Sequence, residues 1–116
     1  KIDIRALSIA DTKDFGILRL IVNDADKALE VLKSNDFSVI ITEVIAIGID
    51  DNPGGLAGAM ETLYKNNVSI EYMYAFISKT ENIAYVIFRV ENNDAAAVAL
   101  KNQGYKILTA EEIYDM

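Results

Sequence analysis

The sequence predicts an α+β fold made of two βαββαβ units in tandem, the first of them without its opening strand and helix. Three observations predict it. The first is an internal repeat. Residues 2–8 (Ile-Asp-Ile-Arg-Ala-Leu-Ser) match residues 68–74 (Val-Ser-Ile-Glu-Tyr-Met-Tyr) at an offset of 66. After a loop two residues longer in the second copy, the offset becomes 68. Phe15–Val22 then matches Ile83–Val90, and Leu32–Phe37 matches Leu100–Tyr105. The second observation is that segments of period two and period 3.6 follow one another in the order β-α-β-β-α-β. The third is that turn and capping residues fall at the junctions. Residues 44–66 have no counterpart within the first copy; their equivalent would lie before Lys1. The expected units are therefore an incomplete ββαβ over residues 1–43 and a complete βαββαβ over residues 44–116. The chain opens on Lys1, in the middle of a pattern, and not on a methionine. The expectation is that one strand and one helix precede it in the intact protein; the alternative is a repeat that starts with a natural half-unit.

Each element has its own warrant. Residues 2–11 alternate, with Ile2, Ile4 and Ala6 against Asp3, Arg5 and Ser8, and read as a half-buried strand. Residues 11–14 are polar and turn-like, and apolar, β-branched residues 15–22 return as a strand. Asn23-Asp24 suits a helix N-terminus, and Ala25, Ala28, Leu29 and Leu32 then share one face of a helix over 25–35. Asn35-Asp36 ends it, since both residues tolerate the left-handed conformation. Residues 39–49 read as strand, as two strands meeting near Thr42-Glu43. Pro53 fits a first helical turn, and Leu56, Ala59 or Met60, and Leu63 give the buried stripe of a helix over 53–66. Residues 68–78 and 83–91 form a second hairpin around 79–82. Asn92-Asn93 caps a helix over 94–102, Gly104 sits where a left-handed C-cap is wanted, and residues 105–108 are a strand. Thr109-Ala110-Glu111-Glu112 has a capping-box pattern that opens a final helical turn. The unit is of the ferredoxin-like, split βαβ kind, with both helices on one face of an antiparallel sheet.

Composition narrows the functions. Hydrophobic residues make up 52% of the 116, enough for a core. The net charge of −7, without a basic cluster, disfavours nucleic acid and anionic membranes as partners. The chain has no Cys and no His. That removes disulfides, thiolate metal sites, cysteine nucleophiles and the commonest general base. No acidic run has EF-hand spacing, so neither a metal nor a cofactor is expected. No apolar stretch reaches the ~18 residues of a membrane-spanning helix and the start lacks a signal-peptide pattern, so a cytoplasmic location is the default expectation.

The one strong local motif is Asp50-Asp51-Asn52-Pro53-Gly54-Gly55-Leu56, between an apolar strand and an amphipathic helix. Asn52 can cap, Pro53 presets the first turn, and two glycines permit close backbone approach. Helix-start N–H groups hold a carboxylate without a basic side chain. Asp51 or Asn52 can accept from an ammonium, so a zwitterion such as an amino acid offers both groups at once. The same residues would also serve a merely well-capped helix start.

Asp51-x-Pro53-Gly54-x-Leu56, followed by Leu63 and Asn67-Val68-Ser69-Ile70, resembles the signature of the ACT domain family, and the repeat extends that resemblance over essentially the whole chain. The resemblance implies the βαββαβ fold and a non-catalytic regulatory module that binds a free amino acid between paired units, in control of amino-acid metabolism. It implies a homo-oligomer, a dimer first, and a metabolic enzyme as a possible partner. Carried over by position, the ligand residues are Asp51, Asn52, Gly54, Gly55 and Leu56, with Ser69 and Ile70. The family's frequent Asn after the helix is Ser69 here and Asp3 in the first copy, and these departures leave ligand identity open. The alternative is a structural or assembly subunit, or a regulatory subunit of a biosynthetic enzyme, with no ligand of its own. Tyr72, Met73, Tyr74 and Phe76 form an aromatic-rich strand that suits a pocket, an interface or plain sheet packing. Asp50-Asp51 and Glu111-Glu112 are adjacent carboxylates without a catalytic partner, and no enzymatic activity is expected.

Overall fold

The computed structural model describes residues 2–11, 13–77 and 82–114. Their elements are β1 (Ile4–Asp11), β2 (Gly16–Val22), α1 (Ala25–Ser34), β3 (Ile45–Asp50), α2 (Gly55–Lys65), β4 (Ile70–Ile77), β5 (Ile83–Val90), α3 (Asn93–Asn102) and α4 (Ala110–Tyr114). None of the helices is long and apolar enough to cross a membrane. The chain divides into two compact units, one of Lys1–Thr42 with Ala110–Met116 and one of Glu43–Thr109. The division drawn from the repeat kept 44–116 together; by compactness the terminal helix groups with the other unit.

The unit Glu43–Thr109 is an antiparallel sheet in the order β3-β5-β4. Residues 105–108 do not form the full strand expected of them. They contribute one antiparallel bridge, Ile47 to Ile107, and the Leu108 N–H donates to the Ala46 carbonyl at 2.8 Å. With that segment at the outer edge of β3, the lateral order is the ferredoxin-like one. The alternation of β3 and β5 puts Ile45, Ile47 and Ile49 on the same side as Val86, Phe88 and Val90. Ala59 and Leu63 of α2 and Ala96 and Leu100 of α3 pack on that side. Both helices therefore cover one face, and Phe88, Ile47, Leu63 and Leu100 are sealed at its centre. The opposite face carries Tyr72, Tyr74 and Phe76; the first two stack on each other, and Phe76 stacks on Tyr85 at 5.4 Å between centroids.

The other unit contains a two-stranded sheet, β1 with β2, and the helix α1. Asp24 caps α1 by accepting from the Lys27 N–H at 3.1 Å, and Ala28 and Val22 are buried. Residues 39–42, expected as strand, are not one. A strand is held by a neighbour's backbone, and among the described residues none pairs with this segment. Their side chains follow suit: Ile40 is 86% exposed.

Two expected details of helix ends changed. The helix expected at 53 begins at Gly55, and its N-cap is Gly54 in the left-handed region (φ 87°), not Asn52. The helix expected at 94 begins one residue earlier, at Asn93, with Asn92 as its cap. Gly104 adopts the left-handed conformation expected of it. The expected turn over 79–82 lies outside the described residues except for Asn82.

Candidate functional site

The glycine-rich turn after β3 is built by its own backbone. The Asp51 N–H donates to the Asn82 carbonyl at 2.9 Å, which ties the loop to the neighbouring hairpin. The Asn52 N–H donates to the Asp50 carbonyl at 2.9 Å, and the Gly55 N–H to the Asn52 carbonyl at 3.0 Å. Gly55 is required because the chain folds back on itself there. A Cβ on Gly55 would stand 2.5 Å from the Asp50 carbonyl oxygen. Gly54 is required for a different reason: its surroundings are open, but its φ of 87° is one that L side chains rarely adopt.

No side chain caps α2. The Gly55 N–H is occupied by Asn52, so the donors offered at this helix start are those of the residues that follow, beginning at Leu56. Asp51, Asn52, Pro53 and Gly54 are all exposed, and no acidic residue stands in the first turn of α2. The arrangement is an open helix start with acceptor side chains beside it, suited to a small group that is anionic at one end and a donor at the other.

The sequence-derived set does not meet at one point within this unit. β3 pairs with β5 from Ile45 opposite Phe88 to Asp50 opposite Ile83, and β4 from Ile70 opposite Val90 to Ile77 opposite Ala84. Asp51–Leu56 thus lie at one end of the sheet and Ser69-Ile70 at the other. Six strand residues separate them, roughly 20 Å at ~3.3 Å each. The order of elements carried this signal: a strand takes the chain to one end, and the helix that follows returns it to the other. Leu56 and Ile70 are moreover half-buried and pack against the core, so their side chains hold the ends of α2 and β4 in place.

Ser69 instead borders an open polar groove of about 620 Å³, together with Asn67, Arg89, Glu91, Asn93 and Asp94. Arg89 is already engaged there, with Nε donating to Glu71 at 3.0 Å and Nη1 to the Glu43 carbonyl at 3.0 Å. Asn93 Oδ1 is buried without a hydrogen-bond partner. Asp3, the counterpart of Ser69, lies in the other unit, where its N–H donates to Asn23 Oδ1 at 2.8 Å. No group of three or more Asp or Glu side chains that could hold a metal ion occurs among the described residues.

Sequence reasoning missed Asn82, whose carbonyl anchors Asp51. Only the hairpin register places it there, and no local signal announces it.

Comparison with known proteins now bears on this geometry. The family model of the ACT domain pair matches residues 1–116. No curated protein matched the chain. A crystal structure of protein BT0572 from Bacteroides thetaiotaomicron is similar, with 43% sequence identity and a TM-score of 0.92, over 99% of this chain and 78% of that one. The chain belongs to the ACT domain family, as a pair of such domains.

Proposed function

We propose that this ACT domain pair binds a free amino acid where two units meet, and that it acts in control of amino-acid metabolism without catalysing a reaction. ACT domains are regulatory, ligand-binding modules that oligomerise, and that much belongs to the family. The observation that carries the finer reading is the uncapped start of α2 behind the exposed Asp51-Asn52 loop. Its helix-start N–H groups suit a carboxylate, and Asp51 suits an ammonium.

The separation of Asp51–Leu56 from Ser69-Ile70 supports pairing. Among the described residues β4 has a strand neighbour on one side only. If two copies of the unit Glu43–Thr109 join their β4 edges antiparallel about a two-fold axis, the Ser69 end of one comes beside the Ile77 end of its partner. The Asp51 loop lies at that end. A dimer then assembles from two chains the set that one unit holds apart, and it encloses a ligand that an open loop alone cannot bury. The tyrosine stripe of β4 would lie along the same junction.

A thermal-shift screen of the twenty amino acids, followed by calorimetry, tests the reading. A ligand at a hundred times its dissociation constant adds about 2.7 kcal/mol to stability. Asp51→Ala is the decisive variant, with an expected loss of ~1.5–3 kcal/mol in binding through the missing ammonium partner. Gly54→Val is a poorer probe, because a β-branched residue at φ 87° strains the turn itself. If no amino acid produces heat or a thermal shift, the protein is better read as an assembly subunit or a regulatory subunit without a ligand of its own.

A further inference from the structure

Gly58 stands inside α2, one turn from its start, where a glycine is destabilising relative to alanine. Its own backbone does not ask for it. The left-handed glycines are Gly54 and Gly104, and Gly58 is ordinary helix. The reason lies elsewhere in the same unit. A Cβ on Gly58 would stand 2.6 Å from the hydroxyl oxygen of Tyr105 and 4.0 Å from the ring carbon that bears it. The hydroxyl fills the notch that the missing side chain leaves in the surface of α2. Glu61 and Thr62, one turn further along, line the same side of the helix, and the Thr62 hydroxyl donates to the Gly58 carbonyl at 2.9 Å.

Tyr105 is itself held from two directions. Its N–H donates to the Leu100 carbonyl at 3.0 Å, which closes α3. Two residues on, Ile107 bridges to Ile47, and the Leu108 N–H donates to the Ala46 carbonyl at 2.8 Å, which ties the segment to β3. The side chain packs against the core between these anchors. Its tip is therefore a fixed point, and α2 is notched to receive it. The notch also lies next to the open donors. Gly58 follows directly on Leu56-Ala57 and is roughly 3 Å along the axis from Leu56. Leu56, Ala59, Met60 and Leu63 hold α2 down on the sheet. Apolar contacts of that kind are non-directional and resist lifting more than sliding. A knob in a notch resists sliding along the axis and turning about it.

We propose that Tyr105 is a positioning residue for the ligand site: through Gly58 its hydroxyl sets where the N–H groups of Leu56 and Ala57 stand. The inference rests on the reading that an amino-acid carboxylate binds at those groups. Tyr105 does not touch the ligand; it acts on binding through α2. The geometry supplies its own control. Gly58→Ala drives a Cβ into the hydroxyl and pushes α2 and Tyr105 apart. Tyr105→Phe empties the notch and leaves the donor turn free to shift. The two changes together put a methyl group where the hydroxyl was, at an ordinary 4.0 Å from the ring carbon, and refill the notch.

The test is calorimetry with each of the twenty L-amino acids on the wild type, the two single variants and the double variant, with urea unfolding of each. The amino acid that the wild type binds should bind at least about tenfold more weakly to Gly58→Ala and about three- to tenfold more weakly to Tyr105→Phe, and should return to within about threefold of wild type in the double variant. A packing role alone would move the urea midpoints and leave the dissociation constants of the folded variants unchanged. Equal dissociation constants in the wild type and Tyr105→Phe therefore overturn the inference and leave the ligand reading standing. A double variant as weak as the two single losses multiplied overturns it too. Should Gly58→Ala fail to fold, Tyr105→Phe and the double variant still decide the matter. A wild type that binds none of the twenty removes the site itself, and the inference falls with the reading beneath it.

Discussion

The helices α1 and α3 begin and end with the same bonds. Asp24 accepts from the Lys27 N–H at 3.1 Å, and Asn92 from the Ala95 N–H at 3.0 Å. At the other end the Phe37 N–H donates to the Leu32 carbonyl and the Tyr105 N–H to the Leu100 carbonyl, each at 3.0 Å. The faces they turn to their sheets are not alike in depth. Ala96, Ala99 and Leu100 of α3 are buried, whereas in α1 Ala28 is buried, Leu32 is half-buried and Val31, the counterpart of Ala99, is 43% exposed. Local structure has been copied faithfully between the two regions; burial has not. The shape of a helix end is decided within a few residues of chain, while its contribution to stability depends on what a distant segment lays against it.

The contrast is tested most severely in the core. Phe88→Ala removes a side chain that is 0% exposed, and should cost about 3–5 kcal/mol in urea unfolding. Its counterpart Leu20→Ala, at a half-buried position, should cost less than about half of that. Equal losses would break the comparison. The glycines give the next effect. Gly55→Ala drives a Cβ to 2.5 Å from the Asp50 carbonyl oxygen and should cost about 1–3 kcal/mol, while Gly16→Ala meets Asp11 at an ordinary 3.6 Å and should stay within about 0.5 kcal/mol. Circular dichroism melts of both variants measure this. The caps should instead agree across the two regions: Asp24→Ala and Asn92→Ala should each cost about 1 kcal/mol, read as amide exchange in α1 and α3. A large inequality would mean that the ends are not equivalent after all.

The smallest effect concerns acid. The Glu61 carboxyl is held below its ordinary range by a hydrogen bond from Lys65, then by that ammonium's charge. A depressed folded value gives stability that is present above the unfolded value and lost as pH falls through the folded one. Both side chains are largely in water, so the pair contributes little. Glu61→Gln should leave the melting temperature almost unmoved at about pH 7, and the difference should vanish by about pH 3.

Much of this architecture could be read from the chain because its signals are local. Asn23-Asp24, Asn92 and Gly104 announced helix ends by chemistry that needs no distant partner. Residues 39–42 could not be read correctly, because β-branched composition says that a segment would pair and not whether a partner is there. Residues 105–108 formed a bridge and not a strand for a related reason, since an edge segment keeps only the pairing its one neighbour offers. At the site, Gly54 and Gly55 were legible as a special turn, but the role of Asn52 was not. Its carbonyl, not its side chain, turned out to close the turn. The separation of Asp51 from Ser69 was implicit in the βαβ order and was hidden by reading the two segments as one motif.

The stacked tyrosines of β4 and β5 have an optical consequence. The chain contains six Tyr and no Trp, and every Tyr lies between residues 64 and 114. Five of the six, Tyr64, Tyr72, Tyr74, Tyr85 and Tyr105, fall within Glu43–Thr109, and none falls within residues 1–42. Near-ultraviolet emission therefore watches chiefly the unit Glu43–Thr109; Tyr114, in the terminal helix, is the one tyrosine grouped with β1, β2 and α1. Far-ultraviolet dichroism sees the backbone of both. Two unfolding curves recorded on one sample, one by each kind of light, would weight the two units differently without a label or a mutation.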